Sequence, residues 1–554
     1  MAASTRLRKH TMSEPGSRRS SSVGWLLCGI LLTALLIRLP GFLYPASLHY
    51  DEGSELSNVL CMFPPGGTLA HPLLNRYLLT VPTGLQCVRS RLHETRPEQN
   101  ASAWFDIDPE PFLHSGRVVS MLCGLAAILA AFALGRAVGN TKVGLVAAAV
   151  IAFAPMPMLT SINLRPWALA LLLSTVVLLV ASQVADDGSR PRKWLALLGA
   201  ASGAATAAVY TLGLTVIPVM GALVGRWSHQ AKLGAVPHRA KDLATTAMGW
   251  IAAHAVCNYH ALTQLPQVVR AVTGPDASRW SGSGEEFGYM TNVAWHAGAL
   301  FDKFGLGIVI ASLGVAGLLL AVRRGGWAWL SFLVFLVGYL LLQPLVVVLM
   351  STRYAAAAVP VVALGAAWLI VQLGERIAAT SPWLARLHPT AILTAIAIAP
   401  NVVTCVEYAR ALSLTPTRQL ALQWIEGHIP AQTTIVQSIK YVSPVLMDCA
   451  SVAKSPFPPS PQRPCYHVLY LDQRTYRAPP QRTIDYLEGA NAEYLVYTSA
   501  TPPGTEKRLR RVNERLLAIE HRYQLVATFR YQGLDGFTDD TATVNPVVRV
   551  FRLK

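Results

Sequence analysis

Long apolar stretches separated by short polar and often basic segments run from residue 23 to residue 405 of this chain. Stretches near 23–44, 117–138, 143–160, 167–185, 194–210, 211–226, 243–262, 300–322, 327–350, 355–374 and 389–405 each predict a membrane-spanning helix. A hydrocarbon core of about 30 Å is crossed by roughly 20 helical residues, and most of these runs approach that length. The expected count is eleven, with the fifth and sixth the shortest because Gly203, Gly213 and Pro218 interrupt them. Beyond residue 405 the pattern changes. Pro416 to Ile429 reads as an amphipathic helix. Short β-rich runs follow at Thr433 to Gln437, His467 to Leu471, Tyr494 to Tyr497, Leu525 to Phe529 and Val547 to Phe551, with helical patterns at Ile484 to Leu487 and Glu506 to His521. Strands alternating with helices predict a small soluble α/β domain. The expected organisation is a disordered tail over 1–22, a polytopic α-helical domain over 23–405 and a soluble domain over 406–554. Two long loops, 45–116 and 263–299, interrupt the helical part.

Composition sharpens the class. With 52% hydrophobic and 14% charged residues and a mean hydropathy of +0.38, the chain is a multi-pass membrane protein and not an ordinary soluble one. Basic residues cluster before the first span, between the fourth and fifth, between the sixth and seventh, and after the eighth and tenth. Lys and Arg mark the cytoplasmic side, so the amino terminus is expected there. The 45–116 loop and the soluble domain then face the opposite side. The net charge of +17 is met by anionic lipid and calls for no nucleic acid. The first span, too long for a removable signal peptide, reads as a retained anchor.

Eight cysteines are too few for a disulfide scaffold. Cys28, Cys123, Cys257 and Cys405 lie in or beside spans and read as small buried apolar residues. Cys61 and Cys87 share the first loop, and Cys449 and Cys465 share the soluble domain; either pair is able to bridge in an oxidising compartment.

Candidate chemistry concentrates at Tyr50-Asp51-Glu52-Gly53, a few residues beyond the first span. Carboxylates at the edge of hydrocarbon are costly unless paired or wetted, which marks Asp51 and Glu52 as a reaction centre or a cation site. Leu74 to Leu92 carries apolar residues at helical spacing with Arg76, Arg89 and Arg91 between them, as in a helix lying in the membrane interface. Asp106, Asp108 and Glu110 read as an exposed acidic stretch, and His254 and His260 as packing residues.

The order of short motifs resembles the GT-C glycosyltransferases, nearest to the protein O-mannosyltransferase and aminoarabinose-transferase branch. The motifs are Tyr50-Asp51-Glu52-Gly53, His71-Pro72-Leu73-Leu74, Leu164-Arg165-Pro166-Trp167, Arg353-Tyr354 with Pro360, and Trp424-Ile425 with Pro430. The resemblance implies transfer of one sugar from a polyprenyl-phosphate donor to a lipid, glycan or protein acceptor, with inversion. It makes Asp51 the general base and Glu52 an orienting residue. Arg353, Tyr354 and Arg165 become ligands of the donor phosphate, because a guanidinium offers a planar, permanently charged fork. At the His71 position many relatives carry Lys, so phosphate binding through a neutral imidazole there would be weaker or sensitive to pH. Tyr50, Arg270 and Arg279 are candidate acceptor or loop contacts, and a divalent cation on Asp51 and Glu52 is the one cofactor considered. The Ala-rich composition leans toward a bacterial inner membrane with the site facing the periplasm. A lipid or sugar transporter is the competing class, but no internal repeat of the kind transporters carry is visible.

Overall fold

The computed structural model describes residues 18–46, 52, 55–56, 59, 74–92, 110–234, 238–259, 263–264, 266, 288–346, 352–438, 443–454, 463–471, 480–499, 521–531 and 544–554. Helix α1 spans Arg18–Phe42, so the helix begins inside the tail expected to be disordered. Helix α2, Leu74–Leu92, lies where the interleaved arginines predicted it. The bundle continues through α3 (Glu110–Val138), α4 (Thr141–Phe153), α5 (Pro155–Ser161), α6 (Trp167–Ala185) and α7 (Lys193–Ala208). It is completed by α8 (Val216–Lys232), α9 (Arg239–Cys257), α10 (Tyr289–Phe301), α11 (Gly307–Arg323), α12 (Trp327–Val346), α13 (Val359–Thr380) and α14 (Pro389–Leu412).

A helix lies within each stretch expected to span, and among the described residues seven helices are long and apolar enough to cross a bilayer, or eight with the bent pair α4 and α5. The expected count of eleven is not confirmed by this measure. Of the three stretches that do not qualify, α7 with 16 residues and α11 with 17 fall below the roughly 20 that a full crossing takes, and α9, with 19, opens with the charged Arg239, Lys241 and Asp242. Between α4 and α5 the axis turns by 63°, where Pro155 opens the second helix and Ala154 is extended. The bundle also outlasts its expected boundary at 405, because Tyr408, Ala411 and Leu412 remain buried on α14.

Glycines set the closest helix crossings. Gly314 and Gly317 on α11 meet Gly365 and Val362 on α13 backbone to backbone, so any Cβ at these positions would strike the opposing carbonyl. Of the span cysteines, Cys123 and Cys405 are buried as expected, whereas Cys28 is exposed on the outer face of α1.

The soluble domain starts with α15 (Thr417–His428) and holds β1 (Thr434–Gln437), β2 (His467–Tyr470), α16 (Pro480–Gly489), β3 (Tyr494–Thr498), β4 (Tyr523–Phe529) and β5 (Val548–Leu553). The strands form one sheet in the order β2-β1-β3-β5-β4. The β2-β1-β3 portion is parallel, and β5 runs antiparallel to both β3 and β4. Alternation along β1, β3 and β5 loads both faces. Ile435, Val496 and Val550 pack toward Ala421 and Ile425 of α15, while Val436, Leu495 and Phe551 join Leu487 of α16 on the other side. The stretch expected as a helix over 506–521 lies almost wholly outside the described residues.

Cys449 and Cys465 form a disulfide that ties a short helix, Cys449–Lys454, to the segment entering β2. Cys61, and the side chain of Cys87, lie outside the described residues. The bridge closes a loop of sequence separation 16, for which the chain-entropy model gives about 3 kcal/mol. The double variant Cys449→Ala/Cys465→Ala should lose about that much domain stability by thermal unfolding, with wild type shifted equally by reductant.

Candidate functional site

Glu52 is fully buried, and a buried carboxylate must be neutralised and hydrogen-bonded to stay ionised. Arg117 on α3, also fully buried, supplies both. Its Nη2 lies 2.9 Å from Glu52 Oε2 and its Nε donates to Oε1 at 3.3 Å. The backbone N–H of Leu164 donates to the same Oε1 at 3.0 Å. The remaining guanidinium donors reach the carbonyls of Gly41, Tyr44 and Ala46 at the end of α1. One ion pair thus fastens the start of the first long loop to α1, α3 and the segment before α6. Nearby, Glu55 pairs with Arg76 of α2 at 3.1 Å, a second tie between loop and helix.

From Leu164 the chain leads directly to the other predicted residues. Arg165, half-buried, follows Leu164, and Pro166 caps α6 so that Trp167 begins the helix. The Trp167 ring meets Tyr354 edge to face with centroids 4.8 Å apart. Tyr354 sits with Arg353 in a 3-10 turn, Thr352–Ala355, that leads into α13. Arg353 is buried, with its guanidinium carbon 5.5 Å from the Tyr354 ring centre. The Tyr354 carbonyl accepts from the Tyr339 hydroxyl of α12 at 2.7 Å. On α10, the fully buried His296 lies 6.3 Å from the Tyr354 ring, and its Nδ1 is 2.8 Å from the Asn292 carbonyl. Residues more than one hundred positions from one another, Glu52, Arg165 and Arg353-Tyr354, therefore belong to one connected region at one end of the bundle.

Of the predicted site residues, Glu52, Arg165, Arg353 and Tyr354 are brought together. Asp51, Tyr50, His71, Arg270 and Arg279 lie outside the described residues. The cation reading of Glu52 does not suit this geometry. Both of its oxygens already accept hydrogen bonds, and a divalent ion beside them would face the Arg117 guanidinium. Among the described residues no group of three or more His, Cys, Asp or Glu is placed to hold a metal ion. His254 stacks on Trp250 at 4.8 Å, the packing role expected of it; His260 lies outside the described residues.

Sequence reading missed Arg117, Tyr339 and His296. Arg117 was legible in principle, since an ionisable residue at the head of an apolar run is a functional candidate in its own right. His296 and Tyr339 carry no local signal, and only packing reveals them.

Residues 113–250 match the family described as dolichyl-phosphate-mannose-protein mannosyltransferase. No curated protein matches the chain in sequence. Solved structures do match in fold. ArnT from Cupriavidus metallidurans in the apo state is 12% identical with a TM-score of 0.55, over 96% of this chain and 98% of that one. The same protein bound to undecaprenyl phosphate is 13% identical with a TM-score of 0.54 over the same shares. The oligosaccharyltransferase AglB from Archaeoglobus fulgidus, in complex with an inhibitory peptide and a dolichol-phosphate, is 12% identical with a TM-score of 0.50, over 91% of this chain and 73% of that one. The chain has the GT-C fold.

Replacing Arg117 by Met strands the Glu52 carboxylate without a counter-charge and should cost about 3–5 kcal/mol, read as a fall in thermal unfolding temperature. Glu52→Gln should cost clearly less, because its amide oxygen still accepts from Leu164 and Arg117 keeps its three carbonyls. Equal losses in the two variants would contradict this account of the pair.

Proposed function

We propose that this protein is a glycosyltransferase that moves one sugar from a polyprenyl-phosphate donor to an acceptor on the non-cytoplasmic face of the membrane. The observation that supports this reading is the connected path from Glu52 through Leu164 and Trp167 to Tyr354 and Arg353. It joins the acid-bearing loop to two arginines, Arg165 and Arg353, at one end of a GT-C bundle. Acid on one side and permanent positive charge on the other is what displacement of a phosphate by a hydroxyl calls for.

In this reading an acceptor hydroxyl oxygen forms a bond to the anomeric carbon while the bond from that carbon to the phosphate oxygen breaks. The acceptor proton passes to the Asp51 carboxylate, which acts as general base. Polyprenyl phosphate departs with the bonding electron pair, and its growing negative charge is met by Arg353 and Arg165 with help from Tyr354 and His71. A single displacement inverts the anomeric configuration and needs no covalent sugar intermediate. Glu52 does not exchange protons in this scheme. Locked against Arg117 and Leu164, it positions the neighbouring Asp51. Tyr50, Arg270 and Arg279 would contact the acceptor, whose class is lipid, glycan or protein. With the basic loops on the cytoplasmic side, the site would face the opposite side, which in a bacterial inner membrane is the periplasm.

The match to ArnT bound to undecaprenyl phosphate and the mannosyltransferase family match agree with a lipid-phosphate sugar donor. Purified protein in nanodiscs, given labelled polyprenyl-phosphate sugars and membrane extract as acceptor, should release polyprenyl phosphate. Asp51→Asn should lower that release by about 10²–10⁴-fold with the fold intact. Movement of labelled lipid between leaflets without release would replace this reading by that of a transporter.

A further inference from the structure

Gln343 on α12 is fully buried, and neither its amide oxygen nor its amide nitrogen makes a hydrogen bond among the described residues. Buried amides are rarely left this way, because both halves of the group give up water when they enter the bundle. The indole N–H of Trp167 is in the same condition. The two orphans share a neighbourhood. Trp167 packs against the Tyr354 ring, and Gln343 stands four residues after Tyr339, whose hydroxyl donates to the Tyr354 carbonyl. Residues four apart lie on the same face of a helix, so Gln343 extends the Tyr339 face by one turn. Thr211, buried in the 3-10 segment Tyr210–Thr215, lies beside the Tyr339 hydroxyl. His296 of α10 lies against Tyr354 from a further helix.

The result is a group of hydrogen-bonding side chains around Tyr354, inside a bundle whose buried surface is otherwise largely apolar. Polar side chains at such depth face a ligand path or one another, and Gln343 and the Trp167 indole do not bond to one another. We infer that Gln343 and Trp167 form a subsite for the hydroxyls of the sugar being transferred, and that this sugar is neutral. An amide is suited to that task, since its oxygen accepts and its nitrogen donates, as a pair of adjacent hydroxyls requires. Neutrality follows from the charges at hand. Arg353 is buried in the same group and Arg165 is two residues before Trp167, so an ammonium on the sugar would meet repulsion there. The inference rests on the glycosyltransferase reading and deepens it. It sets the chain apart from the aminoarabinose-transferase branch it resembles.

The test compares turnover of polyprenyl-phosphate mannose with that of a polyprenyl-phosphate amino sugar in nanodiscs. Wild type should prefer the neutral donor. Gln343→Leu, similar in volume, should lower kcat/KM for the neutral donor by about 10–100-fold while leaving the affinity for sugar-free polyprenyl phosphate unchanged, which also certifies folding. Gln343→Glu adds a carboxylate and should move the donor ratio toward the amino sugar by at least about tenfold. Gln343→Leu within twofold of wild type, or a wild-type preference for the amino sugar, would overturn the subsite while the transferase reading stands. Absence of turnover with every donor would remove both.

Discussion

A carboxylate and a guanidinium, both shut away from solvent, hold together the region on which everything else depends. Glu52 and Arg117 pair inside a helical bundle where the carboxylate without its counter-charge would be strongly destabilising. The pair is tolerable because nearly every polar atom around it is used: Leu164 donates to the acid, and three carbonyls at the end of α1 accept from the base. That satisfaction has a geometric consequence. The loop leaving α1 is pinned at Glu52 to α3 and to the entrance of α6.

The frame reaches into the soluble domain as well. Tyr44, whose carbonyl accepts from Arg117, donates its hydroxyl to Asn545 Oδ1 at 3.1 Å. Asn545 also donates to the Ala411 carbonyl at 2.8 Å and accepts from the Thr417 backbone at 3.3 Å. It takes a left-handed conformation, φ 49°, that Asn tolerates better than most residues. Its side chain therefore ties the end of α14, the start of α15 and the approach to β5 to the end of α1. The Arg418 guanidinium over the Tyr44 ring, 5.8 Å away, adds to the seam. Soluble domain and bundle meet through the same tyrosine that helps hold the acid-bearing loop.

How far the sequence could be read differed by the range of the interactions involved. All five strands and the helices α2, α15 and α16 fell where periodicity put them, because alternation and helical spacing are properties of a few neighbouring residues. Helix ends and the number of crossings were less legible. The extension of α14 to Leu412 and the bend at Ala154 depend on what packs alongside, and the span count depends on helices close to the minimum length. At the site, Glu52 stood out as an acid near hydrocarbon, yet nothing local showed that Arg117 would be its partner.

Composition, periodicity and charge in the linear chain were enough to specify a multi-pass helical membrane protein with a small α/β domain, since each arises from the preferences of short segments for lipid, water or a sheet. The association of Glu52 with Arg117 and Leu164, the edge-to-face contact of Trp167 with Tyr354, and the burial of Gln343 belong to the tertiary structure alone. These contacts join positions separated by tens to hundreds of residues. Such partners are chosen by the way helices pack, through glycine crossings and the demand that every buried charge be paired, and no local pattern encodes that choice.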